Sequence, residues 1–156
     1  MEKTNVMRIL DQKKIPYTPH EYDPGTTDGR SVAALTGRDP SIVFKTLVTV
    51  GASKHNYVFV IPVNLELDLK KAAKAVDEKS VAMIKQAELL PLTGYIHGGC
   101  SPVGMKKQFR TVIHESAAHL PQMLVSAGRI GTQVELAPAD LAKLVRAEFN
   151  FVTVEG

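Results

Sequence analysis

Tryptophan is absent from this chain, cysteine occurs once, and the aromatic side chains amount to five phenylalanines and four tyrosines. So few rings argue against a broad base-stacking platform of the kind that binds single-stranded nucleic acid. The lone Cys100 closes no internal disulfide. No apolar run approaches the ~20 residues needed to cross a bilayer, and the opening Met1-Glu2-Lys3-Thr4-Asn5 lacks the apolar core of a secretory signal. A reducing cytoplasm is the expected compartment, with no membrane partner. A formal charge of +3 falls short of the dense basic stripe of a dedicated DNA binder. The pairs Lys13-Lys14, Lys70-Lys71 and Lys106-Lys107 read as solvated faces.

What is present is ordinary for a globular protein, with 44% hydrophobic and 22% charged residues. A chain of 156 residues suits one domain (1–156) and buries roughly 68–70% of its unfolded surface. Thr4 can cap a helix through about Lys14, ended by Ile15-Pro16. Tyr17 to Tyr22 reads as an edge strand, since Pro19 cannot donate to a central ladder. A turn-rich loop from Asp23 to Gly29 and a helix capped by Ser31 and closed by Gly37 follow. Two apolar runs, ending at Gly51 and beginning at Asn56, predict a hairpin across Ala52-Ser53-Lys54-His55.

Helices are then expected over Asp68 to Val76 and Ile84 to Leu90, the second stopped by Pro91. Short strands are expected near Arg110 to His114, Met123 to Ser126 and Gln133 to Leu136. Pro138 should open a helix through about Ala147, and Phe149 to Val154 should close the chain as a strand. Strands and helices that mix without regular alternation give a mixed α/β or α+β fold rather than a doubly wound sheet.

Three chemical signals fail on spacing. In His114-Glu115-Ser116-Ala117-Ala118-His119 the histidines stand five apart, about 140° around a helix, so they cannot both grip one zinc ion. Gly99 to Lys107 resembles a phosphate loop, but its lysine is displaced and no hydroxyl residue follows it for magnesium. Cys100 has His97 three residues away, yet a working nucleophile also needs an orienting third group, and a cysteine in a glycine-rich turn reads better as a small filler. No metal or other cofactor is expected.

Two features survive. In Val43-Phe44-Lys45-Thr46-Leu47 a strand places an ammonium on an otherwise apolar face. Lysine is rarely buried alone, so either its stem snorkels to water or its charge meets an anionic ligand. The run Gly94 to Gly104, with paired Gly98-Gly99, can admit a ligand close to backbone amides able to hold a phosphate or a developing oxyanion, although a plain connecting loop fits it too.

Taken together, Phe44-Lys45-Thr46-Leu47, Leu69-Lys70-Lys71-Ala72-Ala73-Lys74, Gly94-Tyr95, Gly98-Gly99-Cys100-Ser101-Pro102-Val103-Gly104 and Val125-Ser126-Ala127-Gly128 form an ordered set. In that order and spacing the chain resembles the YbaK/EbsC family of aminoacyl-tRNA deacylases, relatives of the editing domain inserted in bacterial prolyl-tRNA synthetases. The resemblance implies a mixed α/β fold around a barrel-like sheet flanked by helices. It implies trans-editing hydrolysis of Cys-tRNA(Pro), extending to Cys-tRNA(Cys), with the substrate's own thiol attacking the ester. It assigns catalysis to Lys45 and Thr46, and substrate binding to Tyr22, Gly98, Gly99, Ser101, Pro102 and Ser126. The implied partners are the 3′ end of aminoacylated tRNA and, transiently, prolyl-tRNA synthetase.

The chain departs from the family pattern in two places: a shortened loop after Tyr22 without the phenylalanine several members carry, and Gln133 where some have aspartate. Deacylation of another small amino acid, alanine or serine, and a non-catalytic tRNA- or synthetase-binding module remain open as alternatives.

Overall fold

The computed structural model describes residues 2–23 and 37–155. The expected turn-rich loop and the helix capped by Ser31 lie outside the described residues; Gly37, expected to close that helix, has a φ of +72°.

Thr4 caps α1 (Asn5–Gln12) by accepting a hydrogen bond from the Met7 amide. The helix buries Val6, Met7 and Leu10 along one stripe. β1 (Thr18–Glu21) is an edge strand, so Pro19 costs no ladder bond in the sheet interior. β2 (Phe44–Gly51) and β3 (Asn56–Pro62) form the expected antiparallel hairpin. Asp68 caps α2 (Leu69–Ala75) through the amides of Lys70 and Lys71. β4 (Val81–Met83) is a short edge strand that the sequence did not announce, its three residues being too few to show an alternation.

α3 spans Gln86–Thr93 and encloses Pro91 instead of stopping at it. In so short a helix proline removes a single backbone bond, and the end is set by Gly94 (φ +87°), whose amide donates to the Leu90 carbonyl. There follow β5 (Arg110–His114), β6 (Met123–Arg129), β7 (Thr132–Leu136), α4 (Pro138–Val145) opened by its proline, and β8. β8 is Glu148–Asn150, shorter than expected; beyond it the chain is held at Thr153 by one isolated bridge to Leu67.

The strands form two sheets, β4-β2-β3-β5-β8 and β1-β7-β6. β3, β5 and β8 run parallel and the other pairs antiparallel. The sheets meet at one parallel bridge, Val43 to Leu124. The barrel-like expectation therefore takes the form of two joined sheets, and no closed ring of strands occurs among the described residues. Alternation along the β2–β3 hairpin feeds two cores. Phe44, Val48, Val58 and Val60 pack with Met123, Val125, Val134, Leu136, α1 and α4, while Tyr57, Phe59 and Ile61 pack against Ala72, Ala73 and Val76 beside α2. No helix among the described residues is long and apolar enough to cross a membrane.

His114 ends β5, and its ring is committed inside the fold. Nδ1 accepts from the Val152 amide at 3.3 Å, Nε2 meets the Thr153 hydroxyl at 3.4 Å, and the ring lies edge-on to Phe151. Burial pushes its pKa below the usual imidazole value, against a smaller upward pull from Glu115. Unfolded, the ring binds a proton near pH 6.5; folded, it binds one only at lower pH, so the unfolded state takes up more protons in between. Stability is therefore expected to fall as pH drops below about 6.5. His114→Leu should flatten that dependence over this interval in thermal melts, and an unchanged slope would contradict it.

Candidate active site

Beyond the Val43–Leu124 bridge the two strands part. β2 takes its next strand neighbour on that side, β4, only at Thr49, and β6 is the outer strand of its own sheet. Past the bridge no backbone pairing joins these two strand edges. Lys45 and Ser126 each stand two residues beyond the bridged pair, so their side chains emerge on the same side as Val43 and Leu124. Lys45 is half-buried. Thr46 takes the opposite face of β2, that of Phe44 and Val48, where its Oγ1 is buried without a hydrogen-bond partner.

The row continues across the smaller sheet. Ser126 stands opposite Gln133, and Gln133 opposite His20, so the three share one face. His20 Nε2 lies 2.7 Å from Glu135 Oε1, which also accepts from Arg38 Nη2 at 2.8 Å. His20, Arg38 and Glu135 were not singled out from the sequence. His20 and Glu135 are 115 positions apart, and no local spacing could have joined them.

The glycine loop approaches from the other end of β6. Gly98 adopts a φ of +87°, and the Gly99 amide donates to the Ile96 carbonyl. A Cβ on Gly99 would lie 3.0 Å from the Ile130 amide nitrogen and 3.1 Å from Arg129 backbone atoms, so the loop rests directly on the β6–β7 turn. Ser101 and Pro102 are buried within the loop, the Ser101 hydroxyl accepting from the Val103 amide while the Tyr95 hydroxyl donates to the Val103 carbonyl. Tyr22 reaches the same turn through its amide, which donates to the Gly131 carbonyl at 2.9 Å. Thus Lys45 and Ser126 lie on the unpaired edges of β2 and β6, and Tyr22 and Gly99 lie against the β6–β7 turn. From Ser126 to Arg129 is about 10 Å along an extended strand. A β-bulge between those two residues bends β6 there, and the Ser126 hydroxyl accepts from the Gly128 amide.

Cys100 is 9% exposed and packs in the main core, where burial pushes its thiol up to about 12. A thiol so protonated is neither nucleophile nor ready alkylation target. The native protein is expected to resist iodoacetamide at pH 8 and to react once unfolded, and Cys100→Ala should leave activity unchanged. Loss of activity in a folded Cys100→Ala variant would restore the thiol as a candidate nucleophile.

Comparison with known proteins agrees with this architecture. The chain is 46% identical over 156 residues to a protein of Enterococcus faecalis, covering 99% of this chain and 95% of that one. That protein, EbsC, carries the name of a proposed Cys-tRNA(Pro)/Cys-tRNA(Cys) deacylase. A crystal structure of a proposed trans-editing enzyme for prolyl-tRNA synthetase superposes with a TM-score of 0.85 at 22% identity, covering 99% of this chain and all of that one. A second crystal structure, of a hypothetical protein, gives 0.89 at 22% identity over 97% of this chain and all of that one. These two likenesses establish the shared fold. Residues 23–144 match the aminoacyl-tRNA editing domain, and with that match and the near-full-length identity to EbsC the chain belongs to the aminoacyl-tRNA editing family.

Proposed function

We propose that the protein is a free-standing aminoacyl-tRNA deacylase that removes cysteine from tRNA(Pro), and from tRNA(Cys), in the cytoplasm. What supports this reading is the pair of strand edges, β2 and β6, that stop pairing beyond Val43 and Leu124. They carry a lysine and a serine, with a glycine loop seated on the adjoining turn, in a chain 46% identical to EbsC.

The chemistry asks little of the protein. The cysteine thiolate attacks the carbonyl carbon of its own ester, the C–O bond to the ribose breaks, and the ribose oxygen takes up a proton. A four-membered thiolactone leaves and later opens with water to free cysteine. Holding thiol and carbonyl together is the main task, and proximity of this kind supplies about 7–11 kcal/mol in well-oriented intramolecular reactions. Lys45 supplies positive charge where the ester oxygen gains negative charge, or holds the terminal phosphate, and amides near Gly98 to Ser101 assist the oxyanion. Tyr22 and Ser126 bound the substrate, Thr46 supports the lysine's strand, and Pro102 stiffens the loop. Prolyl-tRNA synthetase is the proposed transient partner, since a net charge of +3 provides few phosphate contacts for binding tRNA alone.

Deacylation measured on Cys, Ala, Ser and Pro esters of tRNA(Pro), and on Cys-tRNA(Cys), with and without the synthetase, tests this reading. Turnover confined to the thiol-bearing esters supports it. Equal turnover of alanyl or seryl esters points to attack by water instead, and stoichiometric binding without ester loss points to a tRNA-binding module.

A further inference from the structure

Two buried polar atoms, one on β7 and one on the arginine that pairs with β7, have no hydrogen-bond partner: Gln133 Oε1 and Arg38 Nε. Gln133 is 6% exposed and stands directly between Ser126 and His20 on one face of the smaller sheet. Arg38 is tied to the same spot, since its Nη2 grips Glu135, two residues along β7 from Gln133 on the same face. An unsatisfied buried donor or acceptor costs about 1–3 kcal/mol, so a fold that leaves an acceptor on Gln133 and a donor on Arg38, tied together through Glu135, suits a group able to donate and accept at once. A hydroxyl does both.

Charge narrows the choice further. Glu135 already holds Arg38 and contacts His20. With Lys45 on the neighbouring strand, the surroundings do not favour a second ammonium, and like charges placed together would repel it.

We propose that Gln133 and Arg38 form a subsite for the terminal ribose of the aminoacylated tRNA. Gln133 Oε1 accepts from the free hydroxyl beside the ester, and Arg38 Nε donates to an oxygen of the same sugar. This rests on the deacylase reading above and adds to it the residues that recognise the sugar. Gln133 is a neutral acceptor, able to take a hydrogen bond from a neutral hydroxyl.

The test uses the full chain and a non-hydrolysable probe, 3′-cysteinylamido-3′-deoxyadenosine, made with a 2′-hydroxyl, as its 2′-deoxy form and with an acetylated α-amine. The wild-type protein should bind the hydroxyl form about tenfold more tightly than the 2′-deoxy form, one neutral hydrogen bond's worth. Gln133→Leu should abolish that preference, and Gln133→Glu, which keeps an acceptor of the same length, should preserve it and serves as the second variant if the leucine protein fails to fold. A preference that persists in folded Gln133→Leu overturns the subsite. So does a Gln133→Leu protein that loses only its discrimination between free and acetylated amine, which would assign Gln133 to the ammonium. Turnover of Cys-tRNA(Pro) with no hydroxyl preference overturns the subsite and leaves the deacylase reading standing. Hydroxyl-dependent probe binding without turnover of any ester does the reverse.

Discussion

Lys45→Ala is expected to slow deacylation of Cys-tRNA(Pro) by roughly 100- to 1000-fold, the usual cost of removing one preorganised group that stabilises a developing oxyanion. The side chain is half-buried on the unpaired edge of β2, so its loss removes charge at the site without opening a core. Thermal stability should therefore change little, and kcat should fall more than KM rises if the charge acts in the transition state. Lys45→Arg keeps the charge but replaces a compact ammonium by a planar fork, and only partial rescue is expected. Near-normal single-turnover deacylation by a folded Lys45→Ala protein would falsify the assignment.

The second large effect is expected from Gly99→Ala. The new Cβ would sit 3.0–3.1 Å from the backbone of Arg129 and Ile130, atoms that cannot swing aside as a side-chain tip can. Overpacking of this kind costs about 1–3 kcal/mol. The loop would lift from the β6–β7 turn, and because catalysis by positioning is sensitive to displacements near 1 Å, kcat/KM should drop by roughly 10- to 100-fold. Gly51→Ala is the control. Its Cβ would collide with the Glu78 carboxylate, the end of a flexible surface side chain bonded to Ser53 and Tyr57, so some stability is lost while deacylation is kept. Wild-type kcat/KM and melting temperature in Gly99→Ala would show that the loop's seat on the turn is unimportant.

Much of the fold was legible along the chain because its signals are local. Thr4 capping α1, Pro19 on an edge strand, the β2–β3 hairpin and Pro138 at the start of α4 each follow from a residue's own backbone and side-chain preferences. Where the local signal is thin, the structure departs from expectation. β4 is three residues long, β8 is cut to three, and Pro91 sits within α3 because Gly94, not proline, terminates that helix. Lys45, Ser126 and the glycine loop could be picked out individually, but their arrangement could not. Alternation places Lys45 and Thr46 on opposite faces of β2, and nothing in the sequence says which face borders a site.

The sequence by itself determined most of the longer elements, the family and the odd charge in an apolar strand, since capping, alternation and ordered motifs act over a few residues. Only the tertiary structure decided that β2 and β6 stop pairing just beyond Val43 and Leu124, and that His20, Gln133, Glu135 and Arg38 come together on and against β7. Strand register does this work: it joins residues more than a hundred positions apart through backbone hydrogen bonds that are the same for every side chain, so the sequence carries no local record of them.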